Sequence, residues 1–223
     1  MALNETKCIR CVDGCIGLVK FGKTNSRTQR YVCKLCGKTR VGNYTYQAYN
    51  SNINHTIIQF TKEGLGIRST ERILQISTTT LLKRIIAIAK NINQPIIVKE
   101  YEVDEMCTYI RNKRSFIRLV YALEKDSKNV VSFNVGKRTN KTLGRVLDTL
   151  RLSEAKKIFT DRLKNYRYLI DEKLHCVKRF GTNHIERKNL TLRTHLKRLN
   201  RRTTCFSRSA VVLNAILKIY FWG

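Results

Sequence analysis

The sequence predicts a chain in three parts: a small cysteine-bearing β-ribbon, a helical unit and a larger mixed α/β domain. Three observations predict this division. Five of the eight cysteines fall within the first 36 residues, apolar residues recur at helical spacing over residues 52–90, and strand-like segments begin at residue 96. The expected boundaries are 1–45, 46–94 and 95–223, and the linker before the third part contains the single proline, Pro95.

The charge of the chain predicts a polyanionic partner. The 223 residues include 44 Lys and Arg against 16 Asp and Glu, a formal net charge of +28, and nucleic acid is the first polyanion to expect. A membrane span is not expected, because the most apolar stretch, residues 210–222, is shorter than the ~20 residues required. No basic-then-apolar signal segment opens the chain, so we expect a cytoplasmic, nucleoid-associated protein.

The first 36 residues predict a structural zinc site. Two CxxC pairs, Cys8 with Cys11 and Cys33 with Cys36, are separated by 21 residues, and each CxxC turn supplies two thiolates to a tetrahedral Zn²⁺. Residues 17–21 and 28–32 are expected to form two short strands between the pairs, as in a zinc ribbon. Disulfides are the alternative, and a cytosolic chain disfavours them. The spacing leaves open whether a fifth thiol, Cys15, replaces Cys11.

Residues 52–90 predict three helices in a helix-turn-helix arrangement. The second helix is expected to turn Ile73 and Leu74 inward, and Ser77 is a good N-cap for a third helix over residues 78–89. In such a unit the first residues of the last helix face the major groove of DNA. A plain three-helix bundle with a solvated face is the alternative. The residues expected to contact DNA are Thr78, Thr79, Lys83 and Arg84.

From residue 96 the pattern predicts the order β-β-β-α-β-α, followed by further helices. That order is the one found in a ribonuclease-H-like fold, a mixed sheet with flanking helices. The last predicted helix could be part of the core or an interface between subunits, and we favour the core. The predicted strands are 96–110, 114–123, 129–135, 157–159 and 174–180, and the predicted helices are 139–150, 165–170, 183–199 and 207–221.

Three acidic residues are candidate ligands of a catalytic metal. Half of the carboxylates lie in residues 100–160. A chain that binds nucleic acid has little electrostatic reason to gather carboxylates in one region unless they hold a cation. A ribonuclease-H-like active site takes one acid from the first strand, one from the end of the fourth and one from a late helix. Asp104, Asp161 and Glu186 occupy those places. The alternative is that each acid is structural or solvated.

The helix that begins near residue 183 combines this third acid with basic residues. In a continuous helix Glu186, Arg193 and Lys197 line up at i, i+7 and i+11. This alignment indicates either simple surface decoration or a metal ligand followed by side chains that grip phosphates. Arg187 and Lys188 would assist in the second case.

These motifs resemble the transposases of the insertion-sequence-one family over nearly the whole chain. The segments VDEM and TD resemble the places of that family's first and second catalytic acids, and IERKNLTLR is the most specific block. The second and third acids are separated by 24 residues, a short spacing similar to this family's. The matching segments are 66–74 and 76–80 in the amino-terminal part, and 103–106, 160–161, 185–193, 197–199 and 205–207 in the second half.

The resemblance implies DNA cut-and-join chemistry with an Asp-Asp-Glu triad and a divalent metal. The implied triad is Asp104, Asp161 and Glu186, with Mg²⁺, or Mn²⁺ as a substitute, held by their oxygens. The implied partners are double-stranded DNA, both as terminal inverted repeats and as target, and a second copy of the chain in a homodimer or higher oligomer. Two other functions are open: a non-enzymatic zinc-ribbon and helix-turn-helix regulator of transcription, and a structure-selective nuclease on the same fold.

Overall fold

The fold falls into two compact units. A computed structural model describes residues 8, 11, 17–42, 46–95 and 99–223, and its backbone contacts divide the chain into Met1–Asn50 and Ser51–Gly223. Within the described residues, none of the helices has the length and apolar character needed to cross a bilayer.

The first unit is a three-stranded antiparallel sheet with very little apolar core. Its strands, in the order β1-β2-β3, are β1 (Leu18–Lys23), β2 (Gln29–Cys33) and β3 (Thr39–Val41). Both strands expected in this region are present, and the third was not predicted. The buried hydrophobic residues described in this unit are Cys8, Cys33 and Ala48. So small a core supplies little stabilisation without a bound metal.

Three helices open the second unit at the places the sequence predicts. They are α1 (Ile53–Lys62), α2 (Ile67–Leu74) and α3 (Thr78–Asn91). The hydroxyl of Ser77 accepts a hydrogen bond from the amide of Thr80 and caps α3. The expectation that Ile73 points inward is wrong, because its side chain is 57% exposed. Gln75 ends α2 in the left-handed conformation, and the residue buried after it is Ile76.

The rest of the second unit is built on a mixed five-stranded sheet. Strands β4, β5 and β6 are consecutive and antiparallel, whereas β7 pairs parallel with β4 and β8 pairs parallel with β7. This topology places the carboxyl ends of β4 and β7 at the same edge of the sheet. The strands are β4 (Glu100–Tyr109), β5 (Phe116–Glu124), β6 (Val130–Gly136), β7 (Lys157–Thr160) and β8 (His175–Cys176), in the spatial order β6-β5-β4-β7-β8.

Helices cover both faces of this sheet. One face packs against α4 (Asn140–Leu152) and α5 (Lys164–Leu169), and the other packs against α6 (Asn183–His195) and α7 (Ala210–Trp222). The predicted order of strands and helices is therefore confirmed, and the fold is a mixed α/β fold.

Two predicted elements are shorter than expected. The strand expected over residues 174–180 is reduced to β8, and the helix expected to reach residue 199 ends at His195. Leu196 leaves helical geometry, and a short 3₁₀ helix, Lys197–Leu199, follows. This change of geometry lets both Leu196 and Leu199 enter the buried cluster against the sheet.

Helix α7 joins the three amino-terminal helices to the sheet. Its residues Leu213 and Leu217 belong to the cluster on the sheet, and the helix also packs against α1 and α3. Helix α7 is therefore part of the core. Gly64 allows the segment after α1 to lie close to the end of α6, because a Cβ at this position would overlap the carbonyl oxygen of His195.

Candidate active site and metal centres

Asp104 lies in the middle of the central strand β4, and Asp161 directly follows the neighbouring parallel strand β7. Val103 of β4 pairs with Thr160 of β7, so the residues that follow them lie side by side. The carboxylate of Asp104 is half-buried and accepts two hydrogen bonds. One comes from the amide of Glu105 at 2.7 Å, and the other comes from Nδ2 of Asn189 at 2.6 Å.

Asp161 is exposed where β7 ends. Its Oδ1 accepts a hydrogen bond from the amide of Leu163 at 3.1 Å, which orients the carboxylate. Its Oδ2 has no hydrogen-bond partner in the part of the chain that the structure describes. Just before it, the buried hydroxyl of Thr160 donates to the carbonyl of Asp161 and lies 2.7 Å from Nε2 of His175. These contacts hold the end of β7 in place and leave one carboxylate oxygen open to solvent.

Glu186 lies in the first turn of α6 and is exposed. Its Oε1 accepts a hydrogen bond from the hydroxyl of Thr182 at 3.0 Å. Asn189 is three residues further along the helix and therefore lies on the same side. Because Asn189 contacts Asp104, the side of α6 that carries Glu186 is directed towards the two aspartates.

A hydrogen-bonded chain determines which atom of Asn189 meets Asp104. Burial raises the pKa of Tyr121, so its phenol keeps the proton. The phenol oxygen lies 3.0 Å from Oδ1 of Asn189 and 3.1 Å from the carbonyl oxygen of Ile185. With Oδ1 placed against this donor, the amide nitrogen of Asn189 points to the carboxylate of Asp104.

The three acids influence one another electrostatically. Burial raises the pKa of Asp104, hydrogen bonds from Glu105 and Asn189 oppose the shift, and the charges of Asp161 and Glu186 raise the pKa further. In the part of the chain that the structure describes, the oxygen atoms of the three carboxylates do not all lie within 4.8 Å of one another. The three acids therefore form a loose anionic group beside the end of β7.

Hard oxygen donors of this kind suit a divalent cation such as Mg²⁺ or Mn²⁺. Mg²⁺ is commonly held by one or two carboxylates together with waters and substrate phosphates, so open positions are expected at such a site. A bound cation would also offset the burial and, after it, the neighbouring negative charges that raise the pKa of Asp104. The donor set therefore fits a divalent metal.

Glu102 fastens the start of α6 to β4. Its side chain is fully buried, and its two oxygens accept hydrogen bonds from the amide of Ile185 at 2.9 Å and from Nδ1 of His184 at 2.7 Å. The N-cap residue of α6, Thr182, makes no side-chain capping bond. A carboxylate from the strand thus satisfies an orphan amide at the positive end of the helix. Glu102 positions Glu186 relative to Asp104.

We expect Glu102→Gln to weaken Mg²⁺ binding by roughly 10–100-fold, because support behind a metal ligand contributes about that much to affinity. The loss of a buried charge-assisted hydrogen bond should also reduce the free energy of unfolding by about 1.5–3 kcal/mol. Isothermal titration calorimetry measures the first effect and urea denaturation measures the second.

The control for this substitution is Glu124→Gln on the neighbouring strand β5, where Glu124 pairs with Tyr101 and therefore lies on the opposite face of the sheet from Glu102. Glu124 is equally buried, contacts the hydroxyl of Ser127 and pairs with Lys99 at 3.3 Å. The Glu124→Gln variant should have a lower free energy of unfolding and an unchanged affinity for Mg²⁺. Equal loss of Mg²⁺ affinity in the two variants would contradict a positioning role for Glu102.

The basic residues predicted on α6 do not form one continuous face. Arg187 is exposed and Lys188 is half-buried on the helix. Arg193 is half-buried, and its guanidinium donates to the carbonyl of Leu199 at 3.2 Å. The expected alignment of Lys197 with Glu186 and Arg193 on one helix is wrong, because α6 ends at His195 and Lys197 begins the 3₁₀ helix.

The four residues expected to contact DNA on α3 differ in their surroundings. Thr79 and Lys83 are exposed. The hydroxyl of Thr78 donates to Glu71 of α2 at 2.6 Å, and the guanidinium of Arg84 donates to Asn54 of α1 at 2.8 Å. Thr78 and Arg84 therefore connect α3 to the other two helices.

The four predicted cysteines come together in the first unit. Sγ of Cys8 lies 3.8 Å from Sγ of Cys36, and Sγ of Cys11 lies 3.8 Å from Sγ of Cys33. All four sulfur atoms lie within 4.8 Å of one another. In a tetrahedron with Zn–S bonds of ~2.3 Å the sulfur atoms are about 3.8 Å apart. The cluster therefore fits a zinc ion. Cys15 lies outside the described residues.

The sequence motifs do not single out two residues of the acidic site, namely Glu102 and Asn189. Both carry a signal that could have indicated them. Glu102 precedes Asp104 by two residues, which places both on one face of a strand. Asn189 follows Glu186 by three residues, which places both on one side of a helix.

Comparisons with known proteins give one family. A family model described as IS1 transposase matches residues 96–221. The insertion element IS1 4 protein InsB of Escherichia coli (strain K12) is 35% identical over 119 residues, which are 53% of this chain and 71% of that protein. The insertion element IS1 protein InsB of Shigella sonnei is also 35% identical over 119 residues, which are 53% of this chain and 91% of that protein.

Two solved structures from retroviruses show weaker similarity. The simian T-cell lymphotropic virus intasome in complex with PP2A regulatory subunit B56 gamma aligns with a TM-score of 0.41 and 18% identity, over 73% of this chain and 66% of that chain. The HTLV-2 integrase catalytic core domain in complex with magnesium, in a trimeric form, aligns with a TM-score of 0.37 and 17% identity, over 57% of this chain and 86% of that chain.

Proposed function

Because the chain belongs to the IS1 transposase family, we propose that it binds the terminal inverted repeats of an insertion sequence and catalyses metal-dependent DNA cleavage and strand transfer. The observation that carries this proposal is that Asp104 of the central strand lies beside Asp161 at the end of β7, with the side of α6 that carries Glu186 directed towards them. Acids from two strands and a helix form a site to which an extended substrate has access from solvent.

The proposed reaction has two phosphoryl-transfer steps. A water oxygen attacks a phosphodiester at the element end, and the broken P–O bond leaves a 3′-hydroxyl. That hydroxyl then attacks a phosphodiester of the target, so one P–O bond forms and one breaks without an external energy source. No covalent bond to the protein is required. Mg²⁺ supplies Lewis-acid activation of the attacking oxygen and stabilises the leaving oxygen.

The residues of the chain hold and orient the reacting groups in this scheme. Asp104, Asp161 and Glu186 hold the cation, and the hydrogen bond from Asn189 orients the carboxylate of Asp104. Glu102 maintains the distance between α6 and β4. The cations along and beyond α6, namely Arg187, Lys188, Arg193 and Lys197, hold the DNA backbone.

We propose that α3 recognises the terminal repeats from the major groove. Thr79 and Lys83 are exposed at the start of α3 and are available to base edges and phosphates. Thr78 and Arg84, by their bonds to α2 and α1, keep the helix in the orientation that presents those two residues. The zinc-bound ribbon adds a second contact to DNA.

The assembly proposed is a homodimer or a higher oligomer. Joining two element ends to one target requires two active sites in one complex. The reaction would take place on chromosomal DNA, which is consistent with the net charge of +28.

The test is a cleavage and joining assay with the purified full chain, a labelled terminal-repeat duplex and a target plasmid. With Mg²⁺ or Mn²⁺ we expect nicking at the repeat end and covalent joining to the plasmid, and with a chelator we expect neither. Specific DNA binding without cleavage in the presence of either metal would overturn the proposed enzymatic activity and favour a regulator of transcription. Cleavage without joining, directed by DNA structure and not by sequence, would favour a nuclease.

A further inference from the structure

An open surface cavity lies beside the carboxyl end of α6, outside the acidic site. Its volume is about 670 Å³. The wall on one side is α6 with the 3₁₀ helix, and the wall on the other side is the loop of residues 200–205. The lining residues that matter for its chemistry are Arg193, Lys197, Arg201, Arg202, Thr203 and Cys205.

The cavity is strongly cationic. Four basic side chains line it, and no carboxylate does among the residues that the structure describes. None of the four forms an ion pair with any residue that the structure describes. Burial, and then the positive charge of Arg201, lower the pKa of Arg193. Cations gathered at this density without a compensating acid favour an anionic ligand.

The loop that lines one side of the cavity is held by its own hydrogen bonds. Oδ1 of Asn200 accepts from the amide of Arg202 at 3.2 Å, and Oγ1 of Thr203 accepts from the amide of Cys205 at 2.8 Å. Beyond it, the carbonyl of Ser207 accepts from the amide of Arg111 at 2.9 Å and ties the chain to the end of β4. The cations are thus presented by a preformed wall, which limits the entropy lost when a ligand binds.

The position of the cavity relative to Glu186 limits what can occupy it. Arg193 follows Glu186 by seven residues, which is about 10 Å along a helix that rises 1.5 Å per residue. Successive phosphates of one DNA strand advance by about 3.4 Å along the duplex axis. A strand that passes the acidic site would therefore reach Arg193 after about three nucleotides, and the loop cations slightly further on. Leu190, which is 55% exposed at the same rim, offers an apolar contact for a deoxyribose.

We propose that this cavity binds the phosphodiester backbone of one DNA strand, about three to five nucleotides from the bond that is cut. Arg201 and Arg202, together with Arg193 and Lys197, neutralise the phosphates there. The distance from the cut rests on the proposed function of the acidic site, whereas the binding of DNA in the cavity does not.

The first test measures how DNA affinity depends on salt for Arg201→Gln/Arg202→Gln. Each phosphate contact contributes about 0.9 to the slope of log affinity against log salt, so the slope should fall by about 1.8. Between 50 and 200 mM salt the double variant should then lose about tenfold less affinity than the unmodified chain. The matched control is Lys156→Gln/Lys173→Gln, which removes two exposed cations near the amino-terminal end of β7 and should leave the slope unchanged.

The second test needs no substitution. Cys205 is exposed in the cavity wall, so a bound strand should shield it from alkylation. With a terminal-repeat duplex at ten times its dissociation constant, we expect the alkylation rate of Cys205 to fall by about tenfold, as the occupied fraction requires. Peptide mass spectrometry provides half-buried Cys176 of β8 as the internal reference.

The outcomes separate this proposal from the proposed function. An unchanged salt slope together with unprotected Cys205 would overturn the proposal that the cavity binds DNA, even if the chain cuts and joins DNA. Protection of Cys205 by inorganic phosphate alone, with no effect of DNA, would also overturn it and show a simple anion site. Protection of Cys205 by DNA in a chain that never cleaves would support DNA binding in the cavity and contradict the proposed enzymatic activity.

Replacing single anionic phosphates near the repeat end by neutral analogues locates the contact. A methylphosphonate at one position three to five nucleotides from the cut should weaken binding of the unmodified chain and leave Arg201→Gln/Arg202→Gln unaffected. Equal weakening of both proteins would contradict the stated distance.

Discussion

Asp161→Asn is expected to slow DNA cleavage and joining by at least about 10³-fold, a barrier increase of about 4 kcal/mol. The exposed carboxylate at the end of β7 has one oxygen oriented by the amide of Leu163 and one directed to solvent. The amide variant preserves the size of the side chain but removes the negative charge that holds a divalent cation. Asp104→Asn and Glu186→Gln should have effects of the same order, and each variant should retain its affinity for terminal-repeat DNA.

The control for this series is Asp148→Asn. Asp148 lies on α4, is 63% exposed and forms a surface ion pair with Arg151, so the same chemical change should leave the rate unaltered. The measurement is a single-turnover time course at saturating Mg²⁺, with DNA affinity determined separately by fluorescence anisotropy. Rates within a few-fold of the unmodified chain for all three site variants would eliminate the proposed triad.

Removal of the metal from the cysteine cluster is expected to unfold the first unit while the second unit stays folded. Its strands bury few apolar side chains, and a zinc ion held by four thiolates contributes apparent binding free energy of about 10–16 kcal/mol at neutral pH. Cys33→Ser should have the same effect as a chelator, because it removes one of four ligands from a fully buried position. Binding to terminal repeats should weaken in parallel.

Amide hydrogen exchange separates the two units in this experiment. On chelation the amides of β1 and β2 should lose protection, and those of β4 and β5 should keep it. Cys176→Ser, in β8 and away from the cluster, is the control and should change neither region. Protection of β1 and β2 that survives chelation would show that the ribbon folds without metal.

Local patterns determined much of the fold in advance. Helix α3 was predicted from a capping residue and an apolar repeat, and Ser77 does cap it. Segments rich in β-forming residues predict the strands β4 to β6, and an amphipathic repeat predicts helix α4; both patterns depend on near neighbours in sequence. The CxxC pairs likewise indicated their own cluster, because the spacing of each pair is a local property and only the two halves had to meet.

Patterns of the same kind failed where a distant contact decides the conformation. Lys197 would continue the face of Glu186 and Arg193 if α6 were one continuous helix, but the helix ends at His195. Leu196 and Leu199 pack into the buried cluster on the sheet, and their burial offsets the loss of one further turn of α6. Ile73 was placed inward by periodicity, but the left-handed turn at Gln75 buries Ile76 instead.

The sequence by itself determined which acids, thiols and cations the protein has, and which family it belongs to. It also determined the order of strands and helices, since that order follows from local periodicity. Tertiary structure alone decided that β7 lies parallel beside β4, which brings Asp161 next to Asp104, and that Glu102 and Asn189 hold α6 in place. It also created the cationic cavity, because a folded-back loop puts Arg201 near Arg193. The physical reason is that these contacts join residues far apart in the chain, so their energies do not appear in any local pattern.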